Sequence, residues 1–189
     1  TNTMTNQNIQ ISENAKQIKG SITMSISALA GQLKADGKDV IGMSAGEPDF
    51  DTPQYIKDAA VKALDAGKTG YTAASGITEL KQAVCDKFKR DQGLDYSPAE
   101  ILISCGAKHS SFNIFFATLN PGDEVIIPAP YWVSYPDQAK MFGAVPVVID
   151  TTAETSYKIT PEQLEEALTP LSKLLILNSP SNPTGMVYT

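Results

Sequence analysis

Cys105-Gly106-Ala107-Lys108 stands where an apolar run, Ile101 to Ser104, gives way to a helix-like one. Such a junction aims backbone N–H groups and the positive end of a helix dipole at an anion, and a phosphate fits there. Gly106 lets the backbone approach closely, and Lys108 adds a positive charge. A glycine used only for a tight turn is the competing reading. The one tryptophan, Trp132, follows a second apolar run in Ala129-Pro130-Tyr131-Trp132. There a flat aromatic can cover a planar ring, or serve as core. A third run leads into Asn178-Ser179-Pro180-Ser181-Asn182-Pro183-Thr184-Gly185, so dense in Asn, Pro and Gly that its backbone is tightly fixed. Asn182 can donate a hydrogen bond from that rigid base, or be an ordinary loop residue. In open α/β sheets ligands gather at the carboxyl ends of strands, where all three stretches are expected.

Other groups invite a functional reading and do not sustain it. Ala66-Gly67-Lys68-Thr69 is like the end of a nucleotide phosphate-binding loop, but Lys62 stands where that motif needs a glycine. Gly67 is read as a helix stop. His109, the sole histidine, has no serine or cysteine nucleophile motif around it and is read as a structural first-turn residue. Arg90, the only arginine, sits in Lys87-Phe88-Lys89-Arg90-Asp91 late in an amphipathic helix, which points to a solvated surface. Lys173 precedes a buried strand. Cys85 and Cys105 lie too far apart for a metal-binding pair and are read as buried, reduced thiols.

The elements that must position these residues alternate between helix and strand. Apolar residues at helical spacing predict a helix over Ser12 to Lys34, stopped by Asp36-Gly37, behind a polar arm. A short strand is expected over Val40 to Met43, then a helix opened by Thr52-Pro53 and running to about Ala66. Gly76 to Asp91 reads as an amphipathic helix with Gly93 just past its end. Strands are expected over 101–104, 124–128, 145–149 and 174–178, with helices over 107–119, 134–142 and after Thr160-Pro161. The sum is an α/β fold with a mainly parallel sheet.

Composition narrows the partners. The 189 residues, 42% hydrophobic, can bury a core, and a formal charge of −6 lacks the basic excess that neutralises nucleic-acid phosphates. Small molecules are the expected partners. No run of some 18 apolar residues could span a membrane, and the polar opening carries no signal-peptide pattern, so a cytoplasmic location is expected.

In order along the chain, Ala45-Gly-Glu-Pro-Asp-Phe50, Lys68-Thr-Gly-Tyr71, Gly106-Ala-Lys108, Pro121-Gly-Asp-Glu-Val125, Pro130-Tyr-Trp-Val-Ser-Tyr-Pro136 and Asn178-Ser-Pro-Ser-Asn-Pro-Thr-Gly185 resemble the fold-type I aminotransferases. The resemblance is to the class I branch that includes bacterial aspartate aminotransferases of subgroup Ib. It implies a three-layer α/β/α large domain and pyridoxal 5'-phosphate as cofactor. It implies that Gly106, Ala107 and Lys108 cradle the cofactor phosphate, that Trp132 stacks on its ring and that Asn182 bonds its phenolic oxygen. Gly46 is implied to meet the substrate α-carboxylate, and Tyr71 to reach the phosphate of a neighbouring subunit in a homodimer. Pro130 and Pro183 match prolines often cis in the family. Lys108 favours L-aspartate or L-glutamate as substrate, with prephenate as an alternative, and Ser21 and Thr23 match a segment that closes over the substrate.

Residues 1–45 are expected to form an arm and helix of a small domain, and 46–189 the first part of the cofactor-binding domain, incomplete at its C-terminus. The lysine that anchors the cofactor, the acid facing its ring nitrogen and the carboxylate-binding arginine match nothing here, so no catalytic residue is assigned. Two readings follow: the N-terminal half of an aminotransferase, or a non-catalytic module on the same scaffold. Carbon–sulfur lysis and aminocyclopropane-carboxylate formation are the alternative chemistries.

Overall fold

Among the described residues Val125, Ile126 and Ile127 are the largest fully buried side chains, at 0–1% exposure, and they mark the centre of a three-stranded parallel sheet. The computed structural model describes residues 10–18 and 20–189, which fall into two compact units whose two divisions each lie within a helix. The polar arm over residues 1–9, and Lys19, lie outside the described residues.

The first unit takes in residues 111–189 and the described residues up to Ser25. Its strands are β1 (Glu124–Pro128), β2 (Val145–Ile149) and β3 (Ser172–Leu175), in the order β2-β1-β3. Along β2 the register runs from Glu124 opposite Val145 to Pro128 opposite Ile149, and against β3 it slips between Glu124 and Val125. Because β1 is paired on both edges and covered on both faces, its apolar run is continuous and not alternating. Phe115 and Leu119, Ala139 and Ala144 close over Val125 and Ile127. Phe142 meets the rings of Phe112 and Phe116 at 5.1 and 6.0 Å.

Two helices follow strands of this sheet. The first is α6 (Ser134–Met141) after β1, and α7 (Pro161–Ala167) comes after β2 and a 3-10 turn at Ala153–Thr155. Thr160 and Gln163 form a capping box at the start of α7, with bonds of 3.0 and 3.3 Å that satisfy one orphan N–H each way. At the base of β1, Asp123 accepts the Asn120 N–H at 2.8 Å and fixes the turn that starts the strand.

The second unit, residues 26–110, is helical. It holds α3 (Gln54–Asp65), α4 (Thr78–Gln92) and most of α2 (Ile22–Ala35). Gly93 ends α4 in the left-handed region with its N–H on Lys89 O, and Gly67 ends the turn after α3 with its N–H on Leu64 O, both as helix stops. Phe88 packs against Tyr96 at 5.5 Å, and Cys85 is buried on α4.

Several expectations are corrected. The helix expected over 12–34 is two, α1 (Glu13–Lys16) and α2, because Ser21 starts a new turn by accepting the Met24 N–H at 3.3 Å. Residues 40–43 and 101–104 are not strands; each is irregular chain with no described strand paired to it to complete a ladder. β3 begins at Ser172 and ends at Leu175, earlier than the apolar run suggests, because pairing with β1 decides its limits. Cys105 is exposed, not buried, since it precedes a helix start with no element covering it, and both cysteines are free.

Candidate functional site

At the carboxyl ends of β1 and β3 the first unit forms a cleft walled by Ile127, Pro130, Tyr131, Tyr135, Asn178 and Asn182, with Tyr157 and Tyr188 completing it. From β1 the chain passes through Ala129 into Tyr131 and Trp132; Ala129 is tied to Ile149 O at 2.9 Å and to the Thr151 hydroxyl. Trp132 is half-buried beside the cleft, its ring edge-on to Tyr135 at 5.4 Å and 90°. Burial pushes the Tyr135 hydroxyl above its usual pKa, since its anion would lose hydration there.

From β3 the chain reaches the Asn-Pro-Thr-Gly turn. Asn178 Oδ1 accepts the Asn182 N–H at 2.9 Å, Met186 O accepts from Ser181 at 2.9 Å, and Ser181 O accepts from Gly185 at 2.7 Å. Tyr188 seals the far side, donating its N–H to Ser179 Oγ and accepting the Ile159 N–H on its hydroxyl, both at 3.1 Å. The Asn182 carboxamide is exposed and makes no hydrogen bond among the described residues. Pro130 and Pro183 follow cis bonds, as the resemblance implies, and Pro180 does too. Tyr131, Tyr135, Asn178 and Tyr188 were missed as cleft residues by sequence reasoning, although the first three stand inside motifs singled out for their neighbours.

Gly46, Tyr71, Gly106, Ala107 and Lys108 lie in the second unit, and Ser21 and Thr23 in the first. Gly106 takes φ +86, and its carbonyl accepts the N–H groups of His109 and Ser110 at 3.1 and 3.2 Å, which winds the first turn of α5 (Ala107–Thr118). Ala107 is the first helical residue, and its N–H makes no hydrogen bond among the described residues. His109 Nδ1 accepts the Cys105 N–H at 3.2 Å, a local structural role. Gly46 and Tyr71 are exposed, Tyr71 fully. Arg90 is bound to Asp91 through Nε at 2.7 Å, which holds its guanidinium above and the Asp91 carboxyl below their ordinary pKa. Among the described residues no cluster of His, Cys, Asp and Glu could hold a metal ion, and no helix is long and apolar enough to cross a membrane.

Residues 38–189 match the family model described as aminotransferase class I and II. The chain belongs to this family. Over 179 residues it is 55% identical to an aspartate/prephenate aminotransferase of Cereibacter sphaeroides, a match covering 95% of this chain and 45% of that one. It is 52% identical to an aspartate aminotransferase of Geobacillus stearothermophilus over 96% of this chain and 46% of that one. Among solved structures it superposes on the aspartate aminotransferase of Thermus thermophilus with maleate at a TM-score of 0.91 and 44% identity, covering 95% of this chain and 47% of that one. The chain spans just under half the length of these aminotransferases.

Pyridoxal 5'-phosphate is the cofactor of class I and II aminotransferases. The residues present suit it, each unit taken by itself. The Gly106 turn offers the Ala107 N–H, next in sequence to a lysine, a donor set for a phosphate. The cleft offers an unpartnered carboxamide among aromatic walls, a donor set for a planar ring carrying an oxygen.

Proposed function

We propose that this chain is the N-terminal part of a pyridoxal-phosphate aminotransferase that moves an amino group between L-aspartate or L-glutamate and a 2-oxo acid. The observation that carries the reading is Asn182, whose carboxamide stands unpartnered in a cleft at the strand ends of a chain 55% identical to an aspartate/prephenate aminotransferase. When bound, the cofactor supplies an electron sink for bonds breaking at the substrate α-carbon.

The chain's own residues bind and orient. Ala107 N–H and the positive end of α5 take the phosphate, with Gly106 making room for it and Lys108 balancing its charge. Asn182 donates to the ring oxygen and so favours its anionic form, while Trp132 covers one ring face. Backbone at Gly46 meets the substrate α-carboxylate. The Lys108 ammonium also pairs with the distal carboxylate of an acidic substrate, which gives the preference for aspartate and glutamate. Tyr71, fully exposed in this chain, reaches the phosphate site of a second subunit, so the working form is a homodimer, and it works in the cytoplasm. Residues 1–45 contribute to a small domain and 46–189 to the cofactor-binding one.

The test uses protein expressed from its complete coding region with the cofactor added. Transamination of 2-oxoglutarate by L-aspartate should exceed that by L-phenylalanine, and Lys108→Ala should erase the difference. Absence of both cofactor binding and transamination would overturn the reading.

A further inference from the structure

We propose that Asn178 is a positioning residue: its side-chain oxygen holds the backbone of Asn182, and with it the Asn182 carboxamide, at the mouth of the cleft. The inference rests on the cofactor role proposed for Asn182. The turn is poor in backbone donors, because Pro180 and Pro183 have no N–H. Ser181 and Gly185 are tied within the turn, Ser181 to Met186 and Gly185 to Ser181. Asn182 has one described tether, its N–H on Asn178 Oδ1 at 2.9 Å. Asn178 is itself well placed to serve as a fixed point. It is half-buried, lines the same cleft, and comes two residues after Ile176, whose N–H bonds Ile126 O at 3.0 Å on the central strand. The sheet therefore passes its rigidity through Ile176 and Asn178 to Asn182. Without that oxygen the N–H of residue 182 turns to water and the carboxamide samples more directions.

Two readouts test this in the protein expressed from its complete coding region. Hydrogen–deuterium exchange of residues 181–186, measured without cofactor, should quicken by roughly fivefold or more in Asn178→Ala and stay slow in Asn178→Asp, which keeps the acceptor. Should the alanine variant fail to fold, Asn178→Ser supplies the weakened acceptor for the same comparison. With cofactor bound, the pH midpoint of its visible absorbance should rise in Asn178→Ala, as in Asn182→Ala, because a lost donor disfavours the ring-oxygen anion. The double variant should rise no further than Asn182→Ala alone. Unchanged exchange in Asn178→Ala, equal quickening in the Asp variant, or additive midpoints would overturn the proposal. If Asn182→Ala leaves the midpoint in place, the cofactor role of Asn182 fails, and the exchange result decides the tether independently.

Discussion

A methyl group on Gly76 would sit 2.5 Å from Ile103 Cγ1 and 2.7 Å from its Cβ. Gly76 also holds φ +102, which L side chains rarely adopt, and the Ile103 N–H donates to Ser75 O at 3.0 Å. This crossing fixes the segment that leads to the Gly106 turn. Gly76→Ala adds a clash and a backbone penalty, and should lower stability by about 1–3 kcal/mol in urea unfolding. A midpoint equal to that of the parent would show that the crossing can open without cost.

Ile127 is 0% exposed in the strand paired on both edges. Ile127→Ala should cost about 2–5 kcal/mol, because well-packed surroundings only partly collapse into the space. Leu175 on β3 is 42% exposed, so Leu175→Ala should cost far less. Parallel urea melts compare the two directly.

Thr160 and Gln163 satisfy each other's backbone N–H groups at the start of α7, and Gln163 Nε2 also donates to Asp150 O at 3.2 Å. Thr160→Ala should destabilise by about 1 kcal/mol. Thr160→Ser should recover most of it, since the hydroxyl is the working group.

Glu100 accepts the Ser97 N–H at 2.9 Å and the Ser97 hydroxyl at 2.8 Å, which holds its carboxyl below the ordinary glutamate pKa. A depressed folded-state pKa means that the unfolded chain binds the proton first as the solution is acidified. The contribution is present above the unfolded pKa and is lost as pH falls through the folded one. Stability measured from pH 7 down to pH 3 should therefore decline less steeply in Glu100→Gln; identical slopes would remove this pair from the acid response.

Gly106 has φ +86 with nothing within 4 Å of an added Cβ, so a substitution there strains the backbone without a clash. Gly106→Ala should weaken binding of pyridoxal 5'-phosphate by about tenfold in calorimetry, and Gly106→Asn by less, as asparagine tolerates the left-handed region. Equal affinity in all three proteins would detach this turn from phosphate binding.

Elements with a local chemical cause were legible in the chain itself. Thr160-Pro161 announces α7 through a cap and a proline, Gly93 announces the end of α4, and the apolar runs 124–128 and 145–149 coincide with β1 and β2. Residues 40–43 and 101–104 were equally apolar and are not strands, and Ser172 opens β3 ahead of its apolar run. A strand exists only where a partner offers carbonyls and N–H groups at matching spacing, and no property of one segment contains that information.

The same division holds for the site. Residue type and order alone determined the family and singled out Gly106 to Lys108 and Asn182 as the residues proposed to meet the cofactor, because an ordered set of local motifs carries a chemical meaning wherever the chain goes. Tertiary structure decided that Tyr135 and Tyr188 wall the cleft, that Trp132 meets Tyr135 edge-on, that Cys105 is exposed and that Asn178 tethers Asn182. These are facts of distance between groups whose positions are set by the sheet, and only packing sets such distances.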